Sequence, residues 1–192
     1  MKYLKLLGIV AVVASALTAL VGASAASATV LYSGGSKVVS GTKFEATGTN
    51  VVWKLGFATM TCNHAEFDGK TSNQGSATET VAGNISSLSF TECNMTVDVL
   101  SKGRLIFHHT SGSNATVTSE GKEVTVAWSG VSCTYGTPTP TSIGTLSGGS
   151  PATMSGSASL IRVAGGFLCA NPASWTATYT FTTPNPLEVK ES

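Results

Sequence analysis

The chain has 192 residues, 42% of them hydrophobic and only 11% charged, where an ordinary soluble domain carries about 25% charge. Its 11 basic and 10 acidic residues give a formal net charge of +1, which leaves no electrostatic footprint for nucleic acid or an anionic membrane and no like-charge tail. The polar surface must be built mostly from uncharged Ser, Thr and Gly.

Met1-Lys2-Tyr3-Leu4-Lys5 is a short positive start, and Leu6 to Val21 follows without a charge. Two Ala-x-Ala sites come next, Ala23-Ser24-Ala25 and Ala26-Ser27-Ala28. This is the three-part layout of a secretory signal peptide, and about 16 apolar residues are too few to cross a bilayer comfortably. Cleavage is expected after Ala28, leaving residues 29–192 as a single all-β domain. Loss of Lys2 and Lys5 leaves 9 basic against 10 acidic residues. No twin Arg and no Cys lies near the cut, so neither Tat export nor a lipid anchor is indicated. The expected product is secreted and extracellular, with no membrane attachment after cleavage.

Beyond Thr29, short runs of β-branched and aromatic residues alternate with Thr or Ser and end at Gly, Asn or Pro, the pattern of strands. Val38-Val39 and Phe44-Glu45-Ala46 flank a turn at Ser40-Gly41. Further strands are expected near 50–58, 78–90, 95–100 and 104–109. Ala115 to Ser119 and Glu123 to Trp128 flank Glu120-Gly121, where glycine suits a tight hairpin. More strands follow near 131–135, 142–147, 152–163 and 174–183. In the last of these, Thr176, Thr178, Thr180 and Thr182 alternate with Trp175, Ala177, Tyr179 and Phe181, one face wet and one buried. So many short strands predict a two-sheet β-sandwich or flattened barrel.

An internal repeat relates residues 36–109 to 110–183. Trp53, Cys62, Cys93 and Thr96-Val97-Asp98-Val99 in the first half parallel Trp128, Cys133, Cys169 and Trp175-Thr176-Ala177-Thr178-Tyr179 in the second. Four Cys in an exported chain predict two disulfides. Three connectivities are possible, and the repeat favours Cys62–Cys93 with Cys133–Cys169. Each bridge would close a loop of roughly 30–40 residues, for which chain entropy gives ~3–4 kcal/mol. The Cys are too widely spaced for a zinc site of close pairs.

The densest ionisable cluster is His64-Ala65-Glu66-Phe67-Asp68. On a strand His64, Glu66 and Asp68 would share a face, as an acid/base or metal site requires. A solvated strand edge ending at the Gly69-Lys70 turn explains the same residues without chemistry. His108 and His109 are adjacent, so a strand would turn one ring inward and the other outward. No G-x-S-x-G elbow and no glycine-rich phosphate loop appears; no cofactor is indicated. Trp53, Trp128 and Trp175 suit either a core or a sugar-stacking platform. Gly165-Gly166 before Phe167-Leu168-Cys169 reads as a bend beside a bridge.

Several segments resemble a set of small secreted actinobacterial proteins (Solirubrobacterales-like) of uncharacterised function. They are Thr110-Ser111-Gly112, Gly121-Lys122-Glu123-Val124-Thr125-Val126, Ser132-Cys133-Thr134-Tyr135-Gly136, Gly144 to Ala152, Gly165-Gly166-Phe167-Leu168-Cys169, Trp175-Thr176-Ala177-Thr178-Tyr179 and Pro184-Asn185-Pro186-Leu187. The resemblance implies a bacterial exported protein and carries no catalytic residue with it.

The expected function is a non-catalytic extracellular module that binds a carbohydrate or cell-envelope component by shape and hydrogen bonding, since a neutral surface cannot steer a partner from afar. Two rivals follow from the same residues: a secreted hydrolase using His64, Glu66 and Asp68, and a structural envelope protein that self-associates through strand edges.

Overall fold

The computed structural model describes residues 28–192; apart from Ala28, the expected signal peptide lies outside the described residues. Every regular element among them is a strand. In chain order they are β1 (Thr29–Ser33), β2 (Ser36–Lys37), β3 (Lys43–Lys54), β4 (Thr59–Thr71), β5 (Val81–Cys93) and β6 (Thr96–Ser111). The rest are β7 (Asn114–Trp128), β8 (Val131–Thr137), β9 (Thr141–Ser147), β10 (Thr153–Ala164), β11 (Ala173–Thr183) and β12 (Glu188–Glu191).

The all-β expectation holds, as a barrel rather than two open sheets. From β3 to β11 the chain runs up and down around an antiparallel sheet that closes where β11 pairs with β3, placing Trp175 opposite Trp53. β8 and β9 share one position in the wall. The C-terminal half of β7 pairs with β8, from Trp128↔Val131 to Lys122↔Thr137. Its N-terminal half pairs with β9, from Ser119↔Thr141 to Asn114↔Ser147. The break between them is Pro138-Thr139-Pro140, whose two prolines have no N–H to give a ladder. The closed barrel therefore has 8 strand positions. Residues 36–109 supply β3 to most of β6, and 110–183 supply the remaining four positions.

Alternation sorts the side chains. On β10, Met154, Gly156, Ala158 and Leu160 point inward, while Thr153, Ser155, Ser157 and Ser159 point outward. On β11, Trp175, Ala177, Tyr179 and Phe181 are buried, with Thr176, Thr178 and Thr182 exposed. An apolar interior under a Ser/Thr exterior is the reverse of a membrane-spanning barrel, whose outward band must be apolar. No helix among the described residues is long and apolar enough to cross a membrane. Inside, Phe67 packs on Tyr179, Phe181 and Phe44 at ring distances of 5.0, 5.8 and 6.2 Å. Gly156 leaves room for Trp175: a Cβ there would lie 2.6 Å from the indole ring.

Three local expectations are corrected. Glu120-Gly121 is not a hairpin, because β7 runs unbroken through it. Gly121 and its neighbour Gly103 both have positive φ, 71° and 64°, and the two strands kink together instead of reversing. β6 is likewise one strand rather than two. The turn at Ser40-Gly41 exists, but β2 pairs with β1 and β3 with β4 and β11, so its flanks form no hairpin.

The barrel's two ends differ. At one, the three-stranded sheet β12-β1-β2 lies over the ends of β6 and β7 and buries Leu31, Val189 and Leu187. The Thr29 hydroxyl accepts the His109 amide at 2.9 Å, and Gly149 and Leu187 exchange backbone bonds. The opposite end carries both disulfides. Between the ends, β5 and β6 pair through Val81↔Phe107 to Asn84↔Arg104. Towards the disulfide end no ladder joins these two described strands, which leaves a seam in the wall.

Candidate functional site

Four turns meet at the disulfide end: 55–58, 94–95, 129–130 and 165–172. Cys62–Cys93 links register partners on β4 and β5, and Cys133–Cys169 ties β8 to the loop after β10. Both pairings are those favoured by the sequence repeat. Further bonds hold the turns in place. Arg162 Nη1 donates to the carbonyls of Gly166 (2.9 Å) and Cys169 (2.8 Å), and Asn171 Oδ1 accepts the Arg162 amide at 3.1 Å. The Ala170 amide reaches the Leu55 carbonyl at 3.3 Å, joining the two largest turns. Asn94 Oδ1 accepts the Thr61 amide at 2.8 Å.

These fixed turns expose large apolar side chains. Phe167 is 93% and Phe57 70% exposed. Phe57 stands edge-on to Trp128, centroid to centroid 6.5 Å. Beside them an open groove of about 440 Å³ runs past Met95, Thr96, Ala127 and Trp128. Rings held open to water by a rigid frame cannot fold back into the core, and such a patch is available to a partner.

The barrel interior is nearly filled. A cavity of about 30 Å³ remains, lined among others by Trp53, Trp175, Met154, Tyr179, Ser119 and Lys122. Lys122 follows the Gly121 kink, which sends its partly buried side chain towards the interior. Burial lowers its ammonium from 10.5 to about 8, and among the described residues no carboxylate pairs with it. The indole N–H groups of Trp53 and Trp175 are buried without an acceptor. The Tyr135 hydroxyl is also sealed in, near the Ala170 amide but outside hydrogen-bond geometry with it. Burial pushes the Tyr179 phenol up.

His64, Glu66 and Asp68 do share a face. They lie on the convex outer side of β4, with His64 Nε2 2.9 Å from Glu66 Oε1. Asp68 and Glu66 border a shallow depression of about 230 Å³ with Glu45, Ser87 and Thr182. Glu45 is already engaged: hydrogen bonds from Lys43 and then Thr183 hold its carboxyl below the usual range. No group of three or more His, Cys, Asp or Glu among the described residues is placed to hold a metal ion. His108 and His109 are both half-buried, and they alternate on β6, His109 opposite buried Ala115 and His108 opposite Thr116. His108 Nε2 lies 3.2 Å from the Thr118 hydroxyl, and burial lowers its pKa. His109 Nε2 lies 3.1 Å from the Gly112 carbonyl oxygen. Of the tryptophans, Trp53 and Trp175 belong to the core and Trp128 to the rim.

Sequence reasoning missed Phe57 and Phe167, although a signal was there: each directly follows a glycine in a turn. It also missed Lys122, for which a strand pattern interrupted by Gly121 offers no direction. Comparison with protein-family models, with curated proteins and with solved structures gives no match, so the site is read from its own geometry.

Proposed function

We propose that this is an exported, non-catalytic binding module that engages a carbohydrate or another uncharged component of the bacterial envelope through the aromatic rim. One observation carries the reading: Phe57 and Phe167 stand in solvent on turns pinned by a disulfide, Arg162 and Asn171. Flat rings stack on the apolar faces of sugars, and a rim fixed before contact loses little entropy on binding. A Ser/Thr exterior with few charges suits close approach to a neutral polymer. Two disulfides suit an oxidising exterior, and β1 begins at Thr29, the residue after the expected cut. An actinobacterial source belongs to the same proposal.

The double variant Phe57→Ser/Phe167→Ser tests it by co-sedimentation with insoluble cell-wall polysaccharide. Wild type should be retained, and the variant's affinity should fall about tenfold or more, equivalent to ~1.4 kcal/mol. Its melting temperature should stay within about 2 °C of wild type, because surface changes away from the core cost little. Equal retention of both proteins would overturn the reading.

A further inference from the structure

The residual cavity has an unusual donor balance. Lys122 brings an ammonium with no counter-charge, and Trp53 and Trp175 bring N–H groups without acceptors. The Ser119 and Thr137 hydroxyls are bonded to each other at 3.1 Å, and Thr137 Oγ1 also accepts the Lys122 amide at 3.3 Å. Two hydroxyl protons serve one mutual bond, so one O–H is left to donate. Among the described residues no acidic side chain lines the cavity; its other titratable group is the Tyr179 phenol, and the cross-strand neighbour of Lys122 on β6 is Lys102. In the barrel order β7 stands across from β3, and Trp53 and Trp175 are register partners on β3 and β11. The ammonium and the indoles therefore come from opposing walls.

We propose that the barrel interior binds a compact monovalent anion of halide size, between Lys122 and the indole N–H groups of Trp53 and Trp175. Size sets the upper limit. A volume of about 30 Å³ admits a water or an ion of similar bulk and excludes sulfate, phosphate and larger carboxylates. Charge sets the preference. Water can accept from the indoles but leaves a buried ammonium uncompensated, whereas an anion satisfies both. Phe90, on the stretch of β5 that no ladder joins to β6, lines the cavity. Anion and proton are coupled: the site holds the ion when Lys122 is protonated and releases it as the amine becomes neutral. This site is separate from the rim, and either can fail without the other.

The test replaces sodium gluconate by sodium bromide at constant ionic strength and follows the melting temperature at pH 7. General salt effects are removed by subtracting the response of Lys122→Met. Above the dissociation constant, wild type should gain roughly 3–5 °C more than the variant per tenfold rise in bromide. At pH 9.5 that excess should shrink to less than half. Independently of how well the variant folds, bromide-soaked crystals of wild type should show an anomalous peak inside the barrel. Equal responses of the two proteins, or a barrel holding only water, would overturn the proposal.

Discussion

Replacing Cys133 and Cys169 together by Ser is expected to lower the melting temperature by roughly 8–15 °C. The bridge spans 36 residues, and loop-closure entropy for that span gives about 3.8 kcal/mol, at ~2–4 °C per kcal/mol for a domain of this size. The Cys62→Ser/Cys93→Ser pair, with a separation of 31, should cost a similar amount of stability. The two variants should nevertheless differ in function. Cys133–Cys169 anchors the loop that carries Phe167, whereas Cys62–Cys93 joins strands already paired by a ladder. Only loss of the former should weaken retention on cell wall at temperatures where both variants are folded. Thermal melts by circular dichroism check the first statement, and co-sedimentation checks the second. A melting shift under about 2 °C, or equal retention, would contradict this assignment of roles.

In halide-free gluconate buffer, Lys122→Met is expected to stabilise the protein at pH 7 by about 2–3 kcal/mol. In the folded chain the ammonium titrates at about 8 instead of 10.5, a gap worth about 3 kcal/mol, slightly reduced because part of the side chain still meets solvent. Below pH 8 both states carry the proton, so the folded state bears the whole burial cost. Between about 8 and 10.5 the folded chain loses the proton first and the unfolded chain binds more, so stability rises with pH. Above about pH 10 the trend reverses. Burial raises the Tyr135 and Tyr179 phenols, and the unfolded chain then ionises them first. At the acid side, His108 is depressed by burial, and stability declines as pH falls below about 6.5. Urea titrations across pH 6–11 should show wild type gaining stability from 8 to 10 and Lys122→Met lacking that gain. A flat wild-type profile over this range would place the ammonium in solvent.

How far the fold could be read from the sequence depended on local regularity. β11 follows strict alternation, Thr against mostly aromatic residues, and its faces come out as expected; β10 alternates Ser against small or apolar residues in the same way. The disulfide partners were legible because Cys62 and Cys93 recur at matching places in the second half. Closure of the sheet was not legible, since Trp53↔Trp175 joins residues far apart in the chain and neither strand's pattern names its neighbour. Gly121 misled because positive φ serves a tight turn and a kink equally well, and only Gly103 on the adjacent strand distinguishes them. The same kink hides the direction of Lys122. On β4 the cluster His64, Glu66 and Asp68 was legible as one face, but whether that face lies in a cleft or on a convex wall is decided by barrel curvature, which no local pattern encodes.

Amide chemical-shift mapping of isotopically labelled protein spanning residues 29–192, titrated with soluble cell-wall oligosaccharide fragments, separates the readings most directly. Perturbations are expected at residues 55–58, 94–96, 128–131 and 165–172, around Phe57, Trp128 and Phe167. Changes centred instead on His64, Glu66 and Asp68, or on β2 and β12 at the capped end, would contradict the assignment of the rim as the binding surface.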